Sequence, residues 1–84
     1  MKYTVRLEKR AERQLEKLPP EALSRVCQKL AKLEQNPRLA GIKKLRVIEG
    51  YRLRVGDYRV LFTIDDESKE VCIYRIKHRK KVYE

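Results

Sequence analysis

Three arginines surround one Gly-Asp pair in the segment YRLRVGDYRV, residues 51–60. Arg52 and Arg54 precede Gly56-Asp57, and Arg59 follows it. A guanidinium group stays protonated near neutral pH and offers paired, planar donors that fit a phosphate. The cluster therefore predicts anion binding, and it suits the stabilisation of negative charge that develops on a phosphate during a reaction.

The turn decides whether these arginines meet. Glycine at the first central position favours a two-residue type II′ turn, which places Arg54 opposite Arg59. A four-residue loop keeps this arrangement, and a three-residue loop breaks it. Because side chains alternate along a strand, the sequence predicts two distinct faces of the hairpin. The core face is expected to hold Leu53, Val55, Tyr58, Val60 and Phe62, and the exposed face Arg52, Arg54, Arg59, Leu61 and Thr63.

Two interpretations of the exposed face compete. The ordinary one is a solvated basic face, with or without bridges from its arginines to Glu or Asp side chains. The other is a phosphate-binding surface, because like charges facing each other across strands destabilise a sheet unless an anion lies between them. The convergence of three arginines on one face favours the second interpretation.

Composition supports a polyanionic or acidic partner. The 84 residues include 22 Lys and Arg against 12 Asp and Glu, which gives a formal net charge of +10. The length predicts one domain, 1–84, and the chain has neither a membrane-length apolar run nor a signal-peptide pattern, which favours a cytoplasmic protein. Cys27 and Cys72 are predicted to be buried free thiols, and together with His78 they lack the spacing of zinc ligands. No metal or cofactor is expected.

Hydrophobic periodicity predicts an α+β fold. An N-terminal strand is followed by a two-helix hairpin over 8–36, with Pro19-Pro20 at the corner and Asn36-Pro37 at its end. A mainly antiparallel meander of three or four strands follows, and the helices pack on one face of the sheet. The predicted strands are 2–7, 44–48, 51–55, 58–64 and 71–76, and the acidic run 65–70 is expected to be a solvated loop.

The last strand and the tail add further candidates. In 71–76, Cys72, Tyr74 and Ile76 are predicted to face the core, with Arg75 on the opposite side. The remaining residues, 77–84, form a basic tail. Tail residues with possible roles are His78, Arg79 and Tyr83; the alternative for the tail is a frayed chain end.

The strand-helix-helix-meander order, together with YRLRVGDYRVLFTID and the ending IYRIKHRKKVY, resembles the RelE/ParE superfamily of toxins from toxin–antitoxin pairs. The likeness covers essentially the whole chain and is closest to the RelE branch. It implies a ribosome-dependent endoribonuclease that cuts mRNA in the ribosomal A site by a metal-free attack of a ribose 2′-OH on the adjacent phosphate. It also implies an acidic, RelB-like antitoxin as partner, with operator DNA bound only through the toxin–antitoxin complex.

The resemblance assigns roles to individual residues. Arg59 and Arg79 are expected to hold the scissile phosphate, and Arg52 and Arg54 to neutralise developing charge. Tyr83 is expected to orient or stack on the nucleotide. Relatives carry a proton-transferring lysine at the position of Arg54, and arginine is a poor general base. Proton transfer would then fall to Tyr83, to the ribosomal RNA or to His78, whose ordinary role as a lone histidine is structural.

Two other functions fit the same fold. A ParE-like toxin poisons DNA gyrase and lacks the basic set of the RelE branch. A ribosome- or RNA-binding module would block the A site without cutting the message. The arginine cluster and Tyr83 favour RNA cleavage over both.

Overall fold

The computed structural model describes residues 2–38, 42–45 and 50–78. Along the chain, these residues form β1 (Thr4–Leu7), α1 (Lys9–Glu16), α2 (Pro20–Gln35), β2 (Ile42–Lys44), β3 (Tyr51–Val55), β4 (Tyr58–Asp65) and β5 (Glu70–His78). The strands form one five-stranded sheet in the order β1-β5-β4-β3-β2. Consecutive strands from β2 to β5 are antiparallel, and β1 pairs in parallel with β5. The predicted α+β architecture is confirmed.

Proline separates the two helices and ends the second. Pro20 occupies the first turn of α2, where the missing N–H costs no hydrogen bond. Pro19 is extended, with φ −56° and ψ 150°, as the residue before a proline prefers. α2 ends at Gln35, just before Asn36-Pro37, as the sequence predicts. Neither helix in the described part of the chain has the length and apolarity needed to cross a membrane.

The core lies between the helix pair and one face of the sheet. α1 packs against β5 and β1, and α2 packs against β1 and β3. The buried residues are Ala11, Val26, Leu30 and Leu33 from the helices and Leu53, Val55, Val60, Phe62, Val71, Ile73 and Ile76 from the sheet. The opposite face of the sheet carries the alternate strand residues, which are half-buried or exposed.

A β-bulge interrupts the pairing of β4 with β5. Leu61 faces Arg75, but the next residue, Phe62, faces Ile73, so Tyr74 is the extra residue of β5. A bulge breaks the alternation of side chains along the strand that carries it. The prediction that Cys72 and Tyr74 face the core is therefore wrong. Val71 and Ile73 are buried instead, while the predictions for Ile76 and Arg75 are confirmed.

Other boundaries also differ from the prediction. β2 covers Ile42–Lys44 rather than 44–48, and 46–49 lie outside the described residues. β5 continues through His78, so the first two residues of the predicted tail belong to the sheet. Cys27 is exposed on α2 rather than buried, because the helix turns this residue away from the stripe formed by Val26 and Leu30. Both cysteines are free, as predicted.

An ion pair ties the segment after α2 to the turn between β4 and β5. The guanidinium of Arg38 donates to both carboxylate oxygens of Asp66, at 3.0 and 2.9 Å, and the Tyr3 hydroxyl donates to the same carboxylate at 2.7 Å. Arg38 first and Tyr3 second lower the pKa of Asp66 to about 2. The predicted solvated loop 65–70 is shorter in the structure: Asp65 ends β4 and Glu70 begins β5, while 66–68 are exposed. Asp66 also joins distant parts of the chain.

Candidate functional site: a cationic sheet face

The β3–β4 hairpin has the predicted register. Gly56 has a φ of +58°, whereas Asp57 has no positive φ, which matches a type II′ turn and excludes type I′. Arg54 pairs with Arg59, and Arg52 pairs with Leu61. Arg54 is exposed, and the other three residues are half-buried. All four lie on the face of the sheet opposite the apolar core.

Neighbouring strands extend this cluster into two rows across the sheet. The row at the turn joins Arg54, Arg59 and Lys77, because Arg59 faces Arg54 on one side and Lys77 on the other. The second row lies two residues further along the strands, about 7 Å away. Its members are Lys43, Arg52, Leu61 and Arg75. We call these the turn row and the inner row.

Sequence reasoning missed two members of these rows. Lys77 falls in the tail predicted at 77–84, although its spacing of two from Arg75 is the signal that β5 continues. Lys43 faces Arg52 but falls outside the strand predicted at 44–48. Both omissions come from misplaced strand ends, which periodicity defines poorly in short strands.

Among the described residues, no carboxylate forms an ion pair with the cations of the two rows. Within the described ranges the ion pairs are Arg25 with Glu21 and Arg38 with Asp66, and neither involves this face. Further along β5, Glu8 accepts a weak hydrogen bond from Cys72 Sγ at 3.8 Å. Burial first, and the charge of Glu8 second, raise the pKa of the Cys72 thiol. Among the described residues, no Glu or Asp side chain forms an ion pair with these arginines, so a solvated basic face and a phosphate-binding surface both remain interpretations of it.

Two comparisons with known proteins bear on the family. The family model described as the ParE toxin of the type II toxin–antitoxin system, parDE, matches residues 5–83. Toxin RelG of Mycobacterium tuberculosis is 40% identical over 85 residues, which cover 99% of this chain and 98% of the relative. This chain belongs to the RelE/ParE toxin superfamily. The family model carries the ParE description, whereas this relative carries a Rel name.

Solved structures agree with the fold of the toxin. One is the toxin–antitoxin complex RelBE2 from Mycobacterium tuberculosis, with a TM-score of 0.83 and 40% identity over 94% of this chain and 100% of the other. Another is the archaeal RelE–RelB complex from Pyrococcus horikoshii OT3, with a TM-score of 0.86 and 28% identity over 98% of this chain and 100% of the other. The first is a toxin–antitoxin complex, and the second is a complex of RelE with RelB.

His78 of the toxin lies apart from the arginines. It pairs with Tyr58, and the two rings meet edge to face with their centroids 5.0 Å apart. Tyr58 packs against the core, so His78 lies on the helix side of the sheet. Both rings line an open cavity of about 470 Å³ that is closed on the other side by Pro19 and Ala22. The structure thus does not bring His78 together with the turn row.

The remaining candidates of the toxin cannot be placed. Arg79 and Tyr83 lie outside the described residues, so their roles stay predictions. In the described ranges no group of His, Cys, Asp and Glu side chains could hold a metal ion. The site that the structure does describe is a set of guanidinium and ammonium donors on an open sheet face, suited to bind phosphates and to stabilise negative charge.

Proposed function

We propose that this toxin is a ribosome-dependent endoribonuclease that inhibits translation by cutting mRNA in the A site. The observation that carries the proposal is the turn row, in which three cations face one another and none has an ion pair with a described carboxylate. A phosphate removes this repulsion, and an electron-rich phosphorane removes more of it. Charge stabilisation that grows in the transition state is what accelerates a reaction.

The reaction is an in-line displacement at phosphorus. The ribose 2′-oxygen forms a bond to the adjacent phosphorus and loses its proton, while the bond to the 5′-oxygen breaks and that oxygen gains a proton. The products are a 2′,3′-cyclic phosphate and a free 5′-OH. In this proposal Arg59, with Arg79, holds the scissile phosphate, and Arg52 and Arg54 neutralise the developing charge. Tyr83 stacks on or orients the nucleotide.

The proposal does not assign proton transfer to the residues of the turn row. Arginine and lysine side chains that are protonated can donate but not accept a proton. The position of His78 on the helix side does not support it as the acid for a reaction at Arg59. Tyr83 and the ribosomal RNA remain the candidates, which is consistent with a toxin that acts only on the ribosome.

Single-turnover cleavage of ribosome-bound mRNA tests this function. Loss of one preorganised donor typically costs about 10²- to 10³-fold in rate, so Arg59→Gln should slow cleavage by about that factor. Lys32→Gln on the exposed side of α2 is the matched control, because it removes the same charge far from the sheet face. Equal cleavage rates for the parent, Arg59→Gln and Lys32→Gln would refute the assignment.

Two further assays separate the competing functions. The family description names ParE, so DNA supercoiling by gyrase should be measured beside translation. Inhibition of gyrase with normal translation would support the ParE-like function. Inhibited translation with intact mRNA in primer extension would support a module that blocks the ribosome without cutting.

We also propose an antitoxin as the stable partner. The related structures are complexes of a toxin with RelB or within RelBE2, and the net charge of +10 favours an acidic protein. Operator DNA would be bound only through this complex, and the toxin would act in the cytoplasm, where ribosomes are. Co-purification with the small acidic protein of the adjacent reading frame is the test, and failure of that protein to bind would exclude it as the antitoxin.

A further inference from the structure

We infer that Leu61, Tyr74 and Arg75 form a nucleotide subsite on the inner row, which binds the nucleotide next to the scissile linkage. The base lies on the apolar surface of Leu61 and Tyr74, and its phosphate lies between Arg75 and Arg52. The inference rests on the proposed RNA substrate, but it concerns binding and does not require cleavage.

The bulge of β5 is what creates this surface. Tyr74 is the extra residue, and it is absent from the residues that pack against the core. Its hydroxyl lies 3.3 Å from the point where a Cβ on Gly50 would stand, and Gly50 has the same strand parity as Arg52. The Tyr74 hydroxyl therefore lies next to Gly50, which immediately precedes β3, and the absence of Tyr74 from the core residues places its ring on the cationic face.

The subsite holds unsatisfied donors. Among the described residues, the buried side-chain polar atoms without a hydrogen-bond partner are Tyr74 Oη and Arg75 Nε, which belong to adjacent residues of the bulge. Buried polar groups are nearly always hydrogen-bonded, so two such atoms side by side indicate a missing partner. Both groups donate, and the rest of each side chain is only half-buried. Because both atoms are closed off from solvent in the free toxin, a ligand with acceptor atoms reaches them only when these half-buried side chains shift on binding.

Charge and geometry favour a nucleotide over other acceptors. Arg52 and Arg75 lie on either side of Leu61 in one row, so two cations that form no ion pair within the described ranges border an apolar residue. Stacking of a base on an aromatic ring and pairing of its phosphate with arginine is the usual combination in proteins that bind single strands. The inner row lies about 7 Å from the turn row, so a single strand running along β4 would meet both rows.

The test is binding of a short, fluorescently labelled, single-stranded RNA with 2′-O-methyl groups, which cannot be cut. Its affinity is measured by anisotropy over a range of salt concentrations. Arg75→Gln should weaken binding about tenfold and lower the slope of log affinity against log salt by about 0.7, the value for one phosphate contact on a single strand. Tyr74→Ala should weaken binding roughly tenfold with no change in the salt slope.

Matched variants guard against loss of fold. Tyr74→Phe keeps the ring and removes only the hydroxyl, and it should lower affinity less than Tyr74→Ala. Arg13→Gln on the exposed surface of α1 removes the same charge as Arg75→Gln on the helix side. Thermal unfolding confirms that each variant is folded at the temperature of the measurement.

The outcomes separate this inference from the proposed function. If Arg59→Gln weakens RNA binding while Arg75→Gln and Tyr74→Ala bind like Arg13→Gln, the subsite is refuted and the turn row stands. If Arg75→Gln and Tyr74→Ala weaken binding as expected in variants that fold, the subsite is supported whatever the cleavage assay shows. If these changes weaken only the binding of an acidic antitoxin, the surface is a protein interface and the inference is wrong.

Discussion

Replacing Arg54 by glutamine should stabilise the folded toxin while it weakens RNA binding. Arg54 faces Arg59 directly across β3 and β4, and neither has a carboxylate partner among the described residues. Residues opposite each other in antiparallel strands have Cβ atoms about 4.5–5.5 Å apart. The two guanidinium groups therefore repel each other in the free protein, and glutamine removes the charge with little change in shape.

The size of the effect follows from this geometry. Two unit charges about 5 Å apart in water repel by roughly 1 kcal/mol, and cross-strand pairs change stability by about 0.2–1 kcal/mol. Because Arg54 is exposed, we expect a gain of about 0.5 kcal/mol, which corresponds to roughly 2–4 °C in Tm for a domain of this size. Arg59→Gln should give a larger gain, since Arg59 also faces Lys77. The double variant should gain less than the sum of the two.

Urea unfolding at low and high salt is the assay. At about 0.01 M salt the Debye length is roughly 30 Å, and at about 1 M it is roughly 3 Å, so the gain should appear at low salt and largely vanish at high salt. RNA affinity should fall in the same variants. A loss of stability at low salt, or a gain that salt leaves unchanged, would show that repulsion across the hairpin is not what these residues contribute.

Three further changes test the framework around the site. Arg38 lowers the pKa of Asp66 from its ordinary value of 3.8 to about 2. The ionised carboxylate therefore stabilises the folded protein above about pH 4, and this stabilisation is lost as the pH falls towards 2. Over this pH range, the Tm of the parent should fall more steeply than the Tm of Asp66→Asn. Gly50→Ala should lower stability by about 1–3 kcal/mol in urea unfolding, because φ is +154° and the added Cβ would lie 3.3 Å from three atoms. The Ile76 N–H donates a hydrogen bond to Gln14 Oε1 at 2.7 Å, in the part of β5 that extends past its pairing with β1. Gln14→Leu should therefore cost about 1–3 kcal/mol by leaving that donor unpaired, whereas Gln14→Glu, which keeps an acceptor, should cost less; equal losses for both would contradict this role.

Sequence reasoning succeeded where the determinants are local. The register of the hairpin follows from one glycine and from strict alternation on either side of it, so Arg54 and Arg59 could be paired without knowledge of the fold. The two helices are predictable because the prolines of Pro19-Pro20 and Asn36-Pro37 cannot lie in the interior of a helix and so mark the helix ends. These features depend on residues within a few positions of one another, so the local sequence is enough to predict them.

The features that were missed depend on distant partners. The bulge at Tyr74 arises between β4 and β5, and no glycine or proline marks it in the sequence. The Arg38–Asp66 ion pair joins residues 28 positions apart, and the sequence predicts only that Asp66 belongs to a solvated loop. The predicted strand 71–76 ends before Lys77, whereas β5 continues to His78 and includes Lys77 in the sheet. Each of these wrong predictions concerns where an element ends or how two elements pack, rather than which elements form.

The composition of the cationic face gives a physical reason for the proposed dependence on the ribosome. The described face offers donors and positive charge, which can be worth about 10²- to 10³-fold per group, but it holds no histidine and no carboxylate in the turn row. General acid–base catalysis contributes a further 10²- to 10⁴-fold or so, and His78 lies on the other side of the sheet. A face with this composition binds and polarises a phosphate while the proton must be moved by something else. If Tyr83 or ribosomal RNA supplies that step, free RNA bound to the same arginines stays largely intact, and the toxin becomes a nuclease only in the A site.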